Sequence, residues 1–283
     1  MQKPVYFIVA QPRGASALFQ QLIISNLHIG YVSNFLAKYY DSHLEGLELE
    51  KDVLDKNFKS NFLSKYGNTD GINEPHEWGW FWKDKLNLVG DEHYSDDINY
   101  RELKTNLKEI TEYKKLPLIV DNIYAMSNLV KLKNNIPNIK MINLTRDLYF
   151  ICNSIINARL SRYDDINQFY GHPPKNIDEI LKIKNPIEQI VFQVKSIQNE
   201  IDAMLDSFSV EDIISVDYED IYGDSFDVVN KFHTFVKNDS IDLVYKEKHL
   251  PKLSYRNDKN LIKEQYKDEL DFYYKKYFGN LDD

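Results

Sequence analysis

The stretch that most constrains this chain is Val5–Ile24, read as VYFIVAQPRGASALFQQLII. Apolar and β-branched residues run from Val5 to Ala10 and break at Gln11-Pro12-Arg13-Gly14. Apolar residues then resume at helical spacing, at Ala17, Leu18, Leu22 and Leu27. The pattern predicts a strand, a tight loop and a helix. The first N–H groups of a helix have no partner within it, and the aligned peptide dipoles add partial positive charge there. A small-residue loop feeding such a terminus suits an anion, most often phosphate. Arg13 adds a fixed, forked cation and Ser16 a hydroxyl. A phosphate-binding loop follows as one reading, with an ordinary strand-to-helix turn as the other. No Gly-Lys-Ser/Thr closes the loop, so the common nucleotide-triphosphatase pattern is missing.

Composition narrows the class. A chain of 283 residues can form one large α/β domain or two small ones, and a single domain over 1–283 is expected. Apolar residues make up 43% and charged residues 28%, as in soluble globular proteins. No apolar run reaches the length of about 18 residues that a membrane span needs, and the start of the chain lacks signal-peptide zones. Cys152 is the only cysteine, so no intrachain disulfide and no thiolate metal site are expected. A cytoplasmic protein is the resulting expectation. The net charge of -9 argues against a general nucleic-acid binder. It leaves room for a small anion held by a few placed arginines.

Along the chain, His43 to Ser64 reads as one or two amphipathic helices, and Gly67 to Pro75 as a turn-rich loop. Helices are predicted over Tyr100–Tyr113, Met126–Asn134, Leu148–Leu160, Ile187–Ser207, Ser225–Val236 and Asn260–Tyr277. Strands are predicted over Leu116–Val120, Lys140–Leu144 and Ile213–Val216. Ser161 to Ile183 reads as a mobile polar insertion. Alternating strands and helices imply an α/β fold, a central parallel sheet flanked by helices. Ligands of such sheets bind at the carboxyl ends of the strands, which singles out Arg13, Asp121, Arg146 and Tyr218.

Arg146 ends a predicted strand, and Ser154 follows eight residues on, inside the next helix. A guanidinium and a hydroxyl on one side can clamp a phosphate. The alternative is an Arg146 paired with a nearby acid and a serine on a helix surface. With both loops in view, the chain resembles the sulfotransferases that use 3′-phosphoadenosine 5′-phosphosulfate (PAPS). Their first loop reads Pro-Arg/Lys-Ser-Gly-Thr/Ser-Thr-x-Leu, and Gln11 to Gln20 aligns with it without a gap. Their Arg-Asp-Pro signature, with a serine eight residues beyond the arginine, matches Thr145-Arg146-Asp147 and Ser154. A later Tyr-Glu-Asp-Leu matches Tyr218-Glu219-Asp220-Ile221, and the likeness runs from Val5 to about Val236.

The resemblance implies a P-loop-like sulfotransferase fold and a PAPS donor that leaves as adenosine 3′,5′-bisphosphate. It implies that Arg13, Gly14, Ala15, Ser16 and Ala17 cradle the 5′-phosphosulfate, with Arg13 also countering charge on the bridging oxygen. It places Arg146 and Ser154 on the 3′-phosphate, Tyr218 near the adenine, and Arg256 closing over the 3′-phosphate. Tyr218 has the alternative of a ring packed under the sheet edge. No metal is implied. Gly14-Ala15 stand where the family has Ser-Gly, Ala17 where it has Thr, and Leu148 where it has Pro. Ala15 adopts positive φ less cheaply than Gly, and two hydroxyls are lost. These departures keep open a weakly active or inactive binding protein. A nucleotide kinase is the remaining alternative.

An acceptor hydroxyl needs a base. Glu74-Pro75-His76-Glu77-Trp78-Gly79-Trp80-Phe81-Trp82 is the acidic-aromatic stretch to search. A carboxylate near apolar rings is desolvated and gains basicity. Glu77 is the expected base, followed by His76 and then Glu74. The alternative is a helix docked into the core, with Glu77 an acid of its first turn. Asp121 would contact an acceptor hydroxyl or cap the next helix. His28, His93 and His172 are read as surface or packing residues. The expected acceptor is a carbohydrate or another small molecule; the oligomeric state is left open.

Overall fold

The computed structural model describes residues 3–55, 58–252 and 262–279, and the expectation for Arg256 lies outside them. Strand β1 (Val5–Ala10) is buried at every position but the last and leads through a five-residue loop into helix α1 (Ser16–Asn26). Helix α2 (His43–Val53) ends well before Ser64. The chain beyond it is captured by the buried carboxylate of Glu74, which accepts from the Ser60 hydroxyl at 2.8 Å and the Asn61 amide at 2.8 Å. A helix over residues 60–63 would have to break those bonds. The expected turn-rich loop contains a small hairpin, β2 (Ser64–Lys65) and β3 (Asn68–Thr69). Its two turn residues, Tyr66 (φ 56°) and Gly67 (φ 87°), both take positive φ, as tight hairpin turns of matching twist require.

Helix α3 (Gly79–Lys85) precedes α4 (Tyr100–Lys114), whose Asn99 cap accepts from the Glu102 amide. Strand β4 (Leu118–Asp121) is buried throughout. The helix expected over Met126–Asn134 is two helices, α5 (Ile123–Ser127) and α6 (Leu129–Asn135). The break falls at Asn128, whose side-chain amide donates to the carbonyls of Tyr124 and His93 at 2.9 and 2.8 Å. Local side-chain bonds of this kind compete with the helical ladder. Strand β5 (Ile139–Thr145), α7 (Leu148–Tyr163), the single turn α8 (Ile177–Ile180) and α9 (Pro186–Leu205) follow. Asn185 caps α9 and Pro186 opens it, a position where its missing N–H costs nothing. Strand β6 (Ile213–Asp217), α10 (Tyr218–Gly223), α11 (Ser225–Lys237) and α12 (Glu264–Phe278) complete the order.

The chain divides into two compact units. The first comprises Met1–Val9, Ala15–Leu144 and Ser207–Lys252, and the second Ala10–Gly14, Thr145–Asp206 and Leu253–Asp283. The first carries a parallel four-stranded sheet of order β4-β1-β5-β6, flanked by helices as the sequence predicts. β1 and β4 pair in parallel from Val5↔Leu118 to Ile8↔Asp121. Helix α1 packs against β4 and α11 against β6. Edge-to-face aromatic pairs fill this core: Tyr6 and Phe19 on Phe232, at 5.6 and 6.0 Å, and Phe7 on Trp82 at 5.6 Å. Among the described residues no helix is long and apolar enough to cross a membrane.

In the second unit α9 packs against α7, α8 and α12. The polar segment 161–183 is tied down here rather than left loose. The buried Arg159 guanidinium donates to the Ile166 carbonyl at 3.1 Å and to Gln189 Oε1 at 2.7 Å. Gln193 Nε2 donates to the Tyr170 carbonyl at 2.9 Å, and Tyr170, His172 and Ile180 are buried. Two elements of α12 fix it: Asp271 accepts from the Tyr149 hydroxyl, and Lys276 donates to Glu188 at 2.6 Å.

Trp82 is 1% exposed and has no polar role in the core. Trp82→Ala should therefore destabilise the protein by about 3–5 kcal/mol in urea unfolding, the range for truncating a large buried aromatic. A loss below about 1 kcal/mol would show that this core is not as packed as described.

Candidate active site

Between β1 and α1 the backbone turns sharply. The Gly14 amide donates to the Gln11 carbonyl at 2.8 Å. Arg13 and Ala15 are left-handed, at φ 71° and 72°, while Gly14 between them is not. Successive residues of opposite hand direct their N–H groups to one side, which makes an anion-binding concavity. A Cβ on Gly14 would lie 2.8 Å from the Gln11 oxygen, so close approach rather than φ demands glycine there. Ala15 adopts the left-handed conformation that its side chain disfavours by about 1–2 kcal/mol. The loop thus keeps its turn with alanine where the resembled pattern has its glycine. Ser16 and Ala17 then open α1.

Within the second unit, the loop's first half is held by arginine and serine. Arg13 Nε donates to Ser154 Oγ at 3.2 Å, and Arg146 Nη1 donates to the Arg13 carbonyl at 2.8 Å. Helix α7 explains the spacing. Asp147 caps it by accepting from the Tyr149 amide at 2.8 Å, with Leu148 in the first helical position, and Ser154 lies on its second turn. The step of eight residues from Arg146 to Ser154 thus returns the hydroxyl to the arginines. Gln11 anchors the loop to α9, donating to the Val194 carbonyl at 3.0 Å. Gly171 (φ 96°) seats against Pro12, where a Cβ would come within 3.0 Å of the proline ring. Two guanidinium groups and a hydroxyl converge, a donor set suited to phosphate or sulfate.

A second cluster lies within the first unit. Asp121 ends β4, is buried, and accepts from the Ser16 hydroxyl. The next residue, Asn122, does two jobs. Its Oδ1 caps α5 by accepting from the Ala125 amide at 2.9 Å, and its Nδ2 donates to the Glu77 carbonyl at 2.9 Å. The helix cap foreseen for Asp121 is therefore Asn122, and Asn122 sets the Glu77 backbone beside the end of β4. From the other side the hairpin tip closes in: a Cβ on Gly67 would lie 2.5 Å from Glu77 Oε1. Burial pushes the Glu77 carboxyl up to about 8, and the neighbouring Asp121 charge adds to the rise. Burial also raises Asp121, against the opposing hydrogen bond from Ser16. Burial thus pushes both carboxyls of the pair toward their neutral forms.

The other candidates for a base separate. Glu74 is 2% exposed and is occupied by Ser60, Asn61 and Gln21, so its carboxylate is structural. His76 accepts from the Trp78 amide through Nδ1 at 2.7 Å, which fixes the ring at the start of α3; burial lowers its affinity for a proton. The tryptophans split. Trp78 stacks on Phe81 at 3.8 Å and is buried with Trp82, as a docked helix requires. Trp80 is 68% exposed and lines a cleft of about 440 Å³ together with Glu77, His76, Lys83, Tyr124 and Asn34. Tyr218 is buried at the first position of α10, 6% exposed. Gly67 and Asn122 carried no signal in the sequence beyond that of ordinary turn and cap residues.

Comparison with solved structures places this architecture. The chain is similar to sulfotransferase STF1 from Mycobacterium tuberculosis, with a TM-score of 0.51 and 11% identity, over 83% of this chain and 68% of that one. It is similar to sulfotransferase STF9 from Mycobacterium avium, with a TM-score of 0.51 and 11% identity, over 99% of this chain and 78% of that one. The fold is that of the sulfotransferases, so the resemblance in the motifs extends to the architecture. The sequence matches no family model and no curated protein sequence.

The raised Glu77 carboxyl has a consequence for stability. Between the ordinary carboxylate range and about 8, the folded protein holds a proton that the unfolded chain has released, so stability falls as pH rises through that window. Glu77→Gln removes this loss. Its melting temperature should pull ahead of wild type by a few degrees between about pH 5 and about pH 9, at about 2–4 °C per kcal/mol for domains of this size. A difference independent of pH would show that Glu77 titrates normally.

Proposed function

We propose that this protein is a sulfotransferase that moves the sulfuryl group of PAPS to a hydroxyl of a carbohydrate or other small-molecule acceptor. The observation that carries the reading is the joining of Arg13, Arg146 and Ser154 on the first loop of a sulfotransferase fold. The donor set fits the donor molecule: guanidinium groups and a hydroxyl for phosphate, and a turn of alternating hand for the phosphosulfate. PAPS supplies a sulfuryl group already activated by its anhydride link to phosphate.

In this reading Arg146 and Ser154 hold the 3′-phosphate, and Arg13 to Ala17 hold the 5′-phosphosulfate through backbone N–H groups. Tyr218 is assigned to the adenine, and Arg256 to the 3′-phosphate. The acceptor oxygen bonds to sulfur, the old sulfur–oxygen bond leaves its electron pair on the phosphate, and the hydroxyl proton passes to Glu77. Arg13 counters the charge that develops on the departing oxygen, and such preorganised help is a large catalytic contribution. A carboxyl poised near neutrality is a stronger base than an ordinary one. The acceptor occupies the cleft beside Glu77, with Trp80 offering a flat apolar face to a sugar or an aromatic ring. The loss of hydroxyls at Gly14 and Ala17 favours, as a second reading, a protein that binds the nucleotide without turning it over.

Calorimetric titration with adenosine 3′,5′-bisphosphate, with ATP as control and no added metal, tests the pocket. Micromolar binding of the bisphosphate and much weaker binding of ATP is expected. Ser154→Ala should weaken the bisphosphate about tenfold, or about 1.4 kcal/mol. Arg146→Ala should weaken it further, because the same guanidinium also holds the Arg13 carbonyl. Equal affinity for ATP and the bisphosphate would remove the 3′-phosphate site. Labelled donor and a panel of sugars and phenols then test transfer: Glu77→Gln should lower kcat by about 10²–10⁴ with bisphosphate affinity unchanged. Trp80→Ala should raise the acceptor KM several-fold and leave kcat near wild type. Binding without transfer to any acceptor would support the second reading.

A further inference from the structure

The cleft beside Glu77 holds a lysine whose charge the fold leaves unanswered. Helix α3 carries two lysines in its last turn, Lys83 and Lys85. Lys85 is paired with Asp84 at 2.9 Å and with Glu102 at 2.7 Å. Lys83 donates instead to the Gly90 carbonyl at 2.6 Å. Its ammonium stands 5.4 Å from the centre of the Tyr124 ring and 6.0 Å from that of the Trp80 ring. Among the described residues no carboxylate forms a salt bridge with it, since Asp84, its neighbour in sequence, is turned to Lys85. A solvated surface lysine lets its head swing into water. This one is held over two aromatic faces, and its ammonium can donate bonds beyond the one that the carbonyl takes.

The helix sets the layout. Trp80 and Lys83 are three residues apart, so they share a face of α3 with a rise of about 4.5 Å between them. Glu77 precedes the helix, at the end where Trp80 sits. The other wall comes from α5, which packs on α3; a Cβ on Gly79 would lie 3.7 Å from the Tyr124 ring. The cleft of about 440 Å³ therefore offers, along α3, a carboxyl, an exposed indole and an ammonium. Among the described residues that line it, Lys83 is the one permanent cation. With a net charge of -9, the chain as a whole does not attract acids, so a preference for an acid has to come from a placed cation.

We propose that Lys83 is a specificity-determining residue and that the cleft takes a hydroxyl-bearing ring with an acidic substituent: the ring lies on Trp80, the acid meets Lys83, and the hydroxyl is turned toward Glu77. The role of that hydroxyl rests on the sulfotransferase reading; the pairing of acid and lysine does not. The two ends of the cleft orient the ring, because an acid placed at the Glu77 end would meet a carboxyl and find no cation. Phenolic acids and uronic acids both carry this chemistry.

NMR of the nitrogen-labelled full chain, with no sulfuryl donor present, tests the pairing. The reporter is the Trp80 indole N–H signal, assigned by its loss in Trp80→Phe. The probes are 4-hydroxybenzoate and glucuronate, each compared with its neutral amide near neutral pH. At least one acid should bind about tenfold tighter than its amide, the scale of a charge-assisted hydrogen bond. That ratio should shrink as salt is added. It should fall to about one in Lys83→Gln and persist in Lys83→Arg, which keeps the charge. The acid with the larger ratio tells whether the ring is a phenol or a sugar. Three results overturn the inference: acids and amides that bind alike in wild type, a preference that survives Lys83→Gln, or a Trp80 signal that neither acid moves at millimolar concentration. Because no donor is present, failure of bisphosphate binding or of sulfuryl transfer removes the sulfotransferase reading without altering this result. Equal binding of acid and amide removes the inference and leaves that reading standing.

Discussion

The parallel register of β1 on β4, from Val5↔Leu118 to Ile8↔Asp121, governs the chemistry-bearing part of the first unit. Parallel strands run out at the same edge. Here one continues into the loop that ends at Ser16, and the other stops at Asp121. The hydrogen bond between those two residues is possible because of that shared edge. Asn122, one position on, extends the reach to the Glu77 carbonyl. A slip of one residue would turn every side chain of β4 to the opposite face and scatter both contacts.

Glu77 owes its electrostatics to an element that has no stability of its own. A hairpin of two-residue strands does not persist alone in water. This one is fastened by Thr69, whose hydroxyl donates to the Pro75 carbonyl at 2.6 Å, and by Asn34, whose amide donates to the Gly71 carbonyl at 2.8 Å. Gly67 is required there twice, by its positive φ and by the closeness of the Glu77 oxygen. The desolvation of one carboxyl is thus set by a turn whose fasteners are a threonine, an asparagine and a proline carbonyl.

The parts of the fold that could be read from the sequence are those with long, strongly patterned runs. Val5–Ala10, Tyr100–Lys114 and Ser225–Lys237 show it, because burial of one face or of the whole segment leaves a period in the residues. The Arg146 to Ser154 spacing was legible because a helix converts residue number into direction. What escaped was long-range and polar. Nothing near His43–Ser64 tells that Glu74 will take hold of Ser60 and Asn61, beyond the end of α2. Nothing in 161–183 tells that Arg159, Gln189 and Gln193 will anchor a polar segment, since such residues read as surface. The relation of Glu77 to Asp121 joins positions forty-four apart that share no motif.

Arg159 has one more consequence. Its guanidinium is fully buried, and its partners are the Ile166 carbonyl and the amide oxygens of Gln189 and Gln193, all neutral. The Asp165 carboxylate acts on it through space and offsets part of its field, while low-dielectric surroundings screen the remainder poorly. The chain as a whole repels anions with a net charge of -9. A cation fixed inside the unit that also holds Arg13 and Arg146 opposes that repulsion locally, as a permanent part of the scaffold. Its influence falls on the rate at which anions arrive and on the sensitivity of that rate to salt, rather than on any bond they make afterwards.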